Sequence, residues 1–220
     1  MTNSSSSFDL ELAGLLSARL CHDLAGPVGA ANNGAELLSE GGAEGMEDAR
    51  ELISSCAGQA VRRLRFYRLA YGSHHGWMDW SGAMQTGAAM LADSKINFAW
   101  QGAYEGAEDQ DIAGAGKLAL NLMLLAANAL PRGGQLNFVA AGEACGPRIT
   151  IRGTGGMVIL DDLSADALAG GCRRDRAVLR ELNARVVQPY LTGMLAADLG
   201  LSVRAEATGE GQFEVSTVHA

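Results

Sequence analysis

The sequence predicts an α+β chain: an N-terminal antiparallel helical hairpin forming a dimeric four-helix bundle, followed by an α/β sandwich. Three observations predict it. Between residues 8 and 71 apolar side chains recur at spacings of three and four, the period of a helix. After GSHHG, residues 72–76, that long periodicity gives way to short segments of alternating type, as expected beyond a domain boundary. The longest apolar run, LALNLMLLAANAL at 118–130, is too short to span a bilayer and holds two asparagines, so it reads as a buried helix. With 220 residues, 48% of them hydrophobic, there is enough chain for one large core or two small ones.

Residues 1–7, MTNSSSS, are polar and of low complexity, and are expected to form a disordered tail. The hairpin occupies 8–73. Its first helix runs from about Phe8 to Ser39, with Asp9 as a capping residue and Leu10, Leu12, Leu15, Leu16, Leu20 and Leu24 behind it. EGGAEG, residues 40–45, supplies the turn. The second helix runs from Met46 to Tyr71, patterned by Leu52, Ile53, Cys56, Ala60, Leu64, Tyr67 and Tyr71. A hairpin of this kind has apolar surface that it cannot bury alone, and pairing with a second copy is the economical solution.

The sandwich domain occupies 77–220. The pattern predicts a helix over 82–92, a strand over 96–101, an acidic loop at 104–111 and the apolar helix over 113–130. Strands over 135–141 and 148–152 follow, then short helices between 163 and 187, a helix over 189–199, and strands over 201–207 and 212–218. Strands adjacent in a run, with helices to cover one face, make a two-layer sandwich.

The net charge of −8 sets the chain against polyanions, so nucleic acid is not an expected partner, and no segment reads as a membrane span. Cys21, Cys56, Cys145 and Cys172 show no C-x-x-C spacing and MTNSSSSFDLE has no secretory character, which points to reduced thiols and a cytoplasmic protein. His74 and His75 have no acid or cysteine at ligand spacing, and no metal site is expected there.

The chemistry concentrates in RLCHDLAGPVGAANNG, residues 19–34. Leu16, Leu20, Leu24 and Val28 form an i, i+4 ladder, and His22 lies about 200° from both Leu20 and Leu24, turned away from that stripe. Around it stand Ala18, Ala25, Gly26 and Gly29, a nearly flat surface that another backbone can approach. Gly26 and Gly29 each cost about 1 kcal/mol in a helix, and Pro27 costs more because it removes a donor. A helix that keeps all three gains something other than stability. With Asp23 or another acid holding one ring nitrogen protonated, the imidazole of His22 can attack phosphorus through the other nitrogen. A plain solvated histidine beside an aspartate is the alternative. Cys21 points about 100° away and is not readily activated by His22.

HDLAGP, residues 22–27, resembles the H-E-x-x-x-P box of histidine-kinase dimerisation helices. The longer HDLAGPVGAANNGAELL, with RLRFYRLAYG at 63–72, is similar to the ChpT-type histidine phosphotransferases, and the resemblance extends over nearly the whole chain. It implies that His22 is phosphorylated, that the hairpin forms a homodimer's four-helix bundle, and that the second domain is a relative of the kinase ATP-binding domain. That domain departs from the kinase pattern. In NLMLLA, residues 121–126, the magnesium-binding asparagine of the kinase N-box is Leu125, which offers no oxygen. Asn128 is out of phase with the box. TIRGTGG, residues 150–156, lacks the adenine-reading aspartate, and no G-x-G-x-G triplet precedes residues 189–218 to hold a triphosphate. ATP binding is therefore not expected, no cofactor is required, and the magnesium of phosphoryl transfer belongs to a partner receiver domain.

The resemblance implies that an aspartate on the receiver domain of a hybrid histidine kinase donates the phosphoryl group and that response-regulator receivers accept it. Asp23 shares the catalytic position with His22. Arg19, Ala25, Gly26, Gly29 and Asn33, with Asn32 beside it, are the candidate partner-contact residues, while Arg62, Arg63, Arg65 and Arg68 form a charged end on the second helix. A docking module that binds receivers without accepting phosphate, and an ATP-dependent kinase, are the rival readings.

Overall fold

The computed structural model describes residues 3–40, 45–72, 80–102, 109–143 and 146–219. Helix α1 spans Asn3–Glu40 and α2 spans Met46–Tyr71; they pack side by side along their length as an antiparallel hairpin. Gly34 is buried where the two meet, and a β-carbon there would lie 2.8 Å from Ile53 Cγ1. The helix thus runs unbroken past Asn33 and Gly34, and the glycine brings the backbones together.

Helix α1 starts well before Phe8. Residues 3–7 are helical, in place of the tail expected at 1–7, and Asp9 is interior to the helix instead of a cap. Serine costs at most about 0.7 kcal/mol in a helix and no glycine or proline precedes Phe8, so nothing stops the helix from extending backward. The turn at 41–44 and the histidines at 74 and 75 lie outside the described residues, as do 103–108 of the acidic loop; its last residues, 109–111, belong to the helix that follows.

Beyond the hairpin come α3 (Trp80–Leu91), β1 (Ile96–Gln101), α4 (Asp109–Asn128), β2 (Gly134–Glu143), β3 (Gly146–Thr154), α5 (Asp162–Cys172), α6 (Arg176–Glu181), α7 (Val187–Asp198), β4 (Leu201–Gly209) and β5 (Gln212–His219). The five strands form one sheet in the order β1-β2-β3-β5-β4. β1 and β2 are parallel, and α4 supplies the crossover that such a pair needs; β2–β3 and β4–β5 are antiparallel hairpins, and β3 pairs antiparallel with β5. Burial alternates along β2 and β3: Leu136, Phe138 and Ala140 of β2 and Ile149 and Ile151 of β3 are buried toward the helices, while Arg152 and Glu214 pair at 2.9 Å on the open face. This is the α/β sandwich anticipated from the pattern.

The core does not stop at the expected boundary. Phe66, Tyr67 and Ala70 of α2 belong to the same buried cluster as Trp80, Met84, Leu118, Leu122 and Phe138. Asn121 of α4 ties the helices together from inside: its Nδ2 donates to the Ala70 carbonyl at 2.9 Å, and its own carbonyl accepts from Gln188 of α7 at 2.8 Å. A second cluster, Ala167, Leu179, Val186 and Tyr190, packs against Phe8, Leu12 and Leu15 of α1. The hairpin is thereby attached to the sandwich at two places.

Two apolar expectations change. Val28 is 56% exposed, although it ends the Leu16–Leu20–Leu24 ladder. Each i, i+4 step turns about 40° past a full circle, so after three steps the ladder has wound about 120° off the hairpin face. Leu52 and Leu64 of α2, 37% and 49% exposed, likewise lie outside the intrachain interface. Among the described residues no helix is long and apolar enough to cross a membrane, and Cys21, Cys56 and Cys172 are free thiols. Cys145 lies outside the described residues.

Candidate functional site

Helix α1 presents His22 to solvent with 83% of its side chain exposed, while the next residue, Asp23, turns inward and is 14% exposed. Side chains at i and i+1 on a helix do not ordinarily face each other. Here His22 Nδ1 and Asp23 Oδ1 are nevertheless 3.1 Å apart, because the aspartate is held from its other side. Asp23 Oδ2 accepts from Arg19 Nε at 2.7 Å, one turn earlier on α1, and from the Tyr67 hydroxyl on α2.

The backbone of Asp23 is held as well. Pro27 has no amide hydrogen, so the Asp23 carbonyl four residues earlier lacks its helical partner. Arg63 of α2 fills that vacancy by donating Nη1 to the carbonyl. The proline that sequence reading found costly therefore opens an acceptor that locks the two helices at the site.

Electrostatics follow from these contacts. Burial alone would raise the Asp23 carboxyl, but hydrogen bonds from Tyr67, Arg19 and His22 together outweigh it and hold it below the usual carboxylate range. Burial, reinforced by the neighbouring Asp23 charge, pushes the Tyr67 phenol far up, so it remains a donor. An ionised carboxylate can only accept, so the proton between Asp23 and His22 sits on Nδ1. In the neutral ring with that proton on Nδ1, the lone pair is on Nε2.

Beside His22 opens a cavity of ≈ 590 Å³ between α1 and the sandwich. Arg19, His22 and Asp23 form one wall; Leu125 and Asn128 of α4, Asp161 and Ser164 at the start of α5, and Asn183 and Arg185 before α7 face them. Asn128, out of phase with the N-box in sequence, lines the same wall as Leu125, because residues three apart on a helix are neighbours. Asp161 is committed to capping α5, accepting from the Ser164 amide at 2.9 Å and its hydroxyl at 2.8 Å. Among the described residues no three of His, Cys, Asp or Glu converge as metal ligands.

The candidates from the sequence separate clearly. His22, Asp23 and Arg19 come together. Arg19 is only 13% exposed, and its guanidinium is taken up by Asp23 and, through Nη1 at 3.0 Å, by the Arg185 carbonyl. Ala25, Gly26 and Gly29 are exposed beside His22, and a β-carbon added at either glycine would meet nothing within 4 Å. Asn33 is exposed about 16 Å further along the axis and does not join the site; Asn32 bonds Glu36 at 2.8 Å. Sequence reading missed Tyr67 and Arg63, one placed in an apolar pattern and the other in a charge run. Their i, i+4 spacing on one face of α2 was the available signal, but the register of α2 against α1 was not. Arg62 of the same run pairs with Asp93 at 2.6 Å.

Comparison with known proteins gives the family of the chain. The family model described as the histidine phosphotransferase C-terminal domain matches residues 82–211. Protein phosphotransferase ChpT of Brucella abortus (strain 2308) is 36% identical over 204 residues, which is 91% of this chain and 92% of that protein. The 1.7 Å structure of a bacterial phosphotransferase superposes with a TM-score of 0.80 at 34% identity, covering 95% of this chain and 96% of that one. Histidine kinase ThkA, in complex with the response regulator protein TrrA, shares the fold at a TM-score of 0.51 and 13% identity over 96% of this chain and 62% of that one. With its sequence matched across both the hairpin and the sandwich, the chain belongs to the histidine phosphotransferase family and has the fold of a histidine kinase.

Proposed function

We propose that His22 is the phosphoryl-carrying residue of this phosphotransferase and that Asp23 assists it. The observation that carries the reading is a solvent-exposed imidazole whose Nδ1 lies 3.1 Å from a largely enclosed, ionised carboxylate. As the Nε2–P bond forms, the P–O bond of an aspartyl phosphate breaks and its electron pair leaves on the donor carboxylate. The proton stays on Nδ1, and the positive charge gained by the ring lies against Asp23. Transfer to the next aspartate reverses these steps.

Acyl phosphates of this kind are held on receiver domains, so the donor is the receiver of a hybrid histidine kinase and the acceptor a response regulator, acting in the cytoplasm. The exposed Ala25, Gly26 and Gly29 leave room for such a partner beside His22. ThkA, which shares the fold, is crystallised in complex with a response regulator protein, which supports a partner of that kind here. Magnesium arrives with the receiver. In this reading ATP is not a ligand, since Leu125 replaces the magnesium-binding asparagine of the kinase box and the adenine-reading aspartate and the triphosphate-holding glycines are missing as well. Val61 and Leu64, three residues apart on one exposed face of α2, present apolar surface that supports a homodimeric four-helix bundle.

The test is transfer of acid-labile label from a phosphorylated receiver domain to the purified protein and to His22→Ala, with an ATP titration alongside. Label is expected on the wild type and not on the variant, with no ATP binding. Label retained by His22→Ala would sink the assignment.

A further inference from the structure

We propose that Tyr67, together with Arg19, is a positioning residue for phosphoryl transfer: both donate to Asp23 Oδ2 and so turn Oδ1 onto the Nδ1 proton of His22. The inference rests on His22 being the phosphoryl carrier.

Its starting point is a geometric difficulty. His22 and Asp23 are consecutive on a helix, about 100° apart around the axis, and their side chains would ordinarily diverge. They converge because the two oxygens of Asp23 are assigned to different neighbours. Oδ2 is taken by Tyr67, 2% exposed, and by Arg19 Nε at 2.7 Å; Oδ1 is left for His22 at 3.1 Å. Without the anchor on Oδ2 the carboxylate is free to rotate about its side-chain bonds, and an exposed imidazole is free to take the Nε2–H tautomer, in which the outward nitrogen has no lone pair. Tyr67 itself is well placed to be an anchor. Its ring packs edge-on against Phe66 at 5.6 Å and tilted on Tyr71 at 5.1 Å, inside the core that joins α2 to the sandwich.

Tyr67 touches neither the phosphoryl group nor the attacking nitrogen. It acts through Asp23. The group-transfer step is therefore unchanged: Nε2–P forms, the acyl-phosphate P–O bond breaks with its electrons passing to the donor carboxylate, and the proton remains on Nδ1. What Tyr67 decides is the fraction of molecules in which Nε2 is ready to attack.

The experiment compares full-length wild type, Tyr67→Phe and His22→Ala in label transfer from a phosphorylated receiver, with ¹⁵N NMR of the neutral His22 ring reporting its tautomer. Phenylalanine keeps the ring packing and removes only the donor. The wild type is expected to hold the Nδ1–H tautomer; Tyr67→Phe is expected to show a tautomer mixture and transfer about 10- to 100-fold slower. A wild-type ring in the Nε2–H form would overturn the inference. So would a variant that loses rate with its tautomer unmoved, which is a packing defect, or one whose tautomer moves with no loss of rate. If Tyr67→Phe does not fold, Arg19→Gln removes the other donor to the same oxygen and carries the same expectation. His22→Ala separates the two claims. If it takes no label while Tyr67→Phe equals the wild type, only the positioning role falls; if it still takes label, the phosphohistidine reading falls as well.

Discussion

At the scale of the residue, one aspartate organises the site. Asp23 binds Arg19, Tyr67 and His22 through its side chain and Arg63 through its carbonyl, so two helices meet at a single position. Its carboxyl is held below the ordinary range, burial being outweighed by those hydrogen bonds. A carboxyl whose folded value is depressed contributes stability that is fully present above its unfolded value, near 3.9, and is lost as the pH falls through the lower folded value. Asp23→Asn is therefore expected to lower stability by about 1–3 kcal/mol at neutral pH, where Arg19 loses its counter-charge. The gap in Tm between wild type and variant should stay level down to about pH 5 and then narrow as the wild-type carboxylate protonates. Calorimetry across that range checks it, and a gap that widens in acid would contradict the assignment. His22 and Asp23 were legible in the sequence because the surrounding small residues marked their helix face. Tyr67 was not, since nothing along one chain says which residue of a second helix will stand opposite.

At the scale of the element, α1 does two tasks along its length. Its first turns cover the cluster around Tyr190, with the Phe8 ring tilted 6.5 Å from that ring and under the Arg176 guanidinium at 5.1 Å; its middle carries His22. The wall that faces His22 depends on how α5 and α7 meet. They cross with glycine in contact: a β-carbon on Gly171 would fall 2.0 Å from the Tyr190 carbonyl oxygen, and one on Gly193 would fall 2.2 Å from the Leu168 carbonyl oxygen. Backbone oxygens cannot retreat as a flexible side chain can. Gly171→Ala is thus expected to push the helices apart and cost about 1–3 kcal/mol, read as a fall in Tm, whereas Gly26→Ala, which faces open space, should not destabilise the fold. The elements themselves followed from the sequence within a few residues, β1 to the residue, because alternating and helical periods are local properties. The start of α1 did not. A run of serines looks like a tail in composition, yet has no residue that forbids a helix.

At the scale of the whole molecule, hairpin and sandwich are joined by a continuous core through Phe66, Tyr67 and Ala70 and by the Arg19 bond to the Arg185 carbonyl. Asn183 supports that carbonyl by accepting the Arg185 amide at 2.8 Å. The proposed dimer makes its own demand on the surface. Val61 and Leu64, 46% and 49% exposed on α2, carry apolar area that a second copy would cover. A Val61→Glu, Leu64→Glu double variant is expected to be monomeric by light scattering while keeping its helical content; an unchanged mass would place the interface elsewhere. The sequence alone determined the order of elements, the departures from the kinase nucleotide motifs, and the histidine on a flat helix face, since each is written in local spacing or residue type. The tertiary structure decided what surrounds that histidine. It brought Tyr67 and Arg63 to Asp23, turned Arg19 inward, carried Val28 to the surface and set Asn128 on the cavity wall. Each of these depends on helix register and cumulative rotation, which arise only when the elements pack.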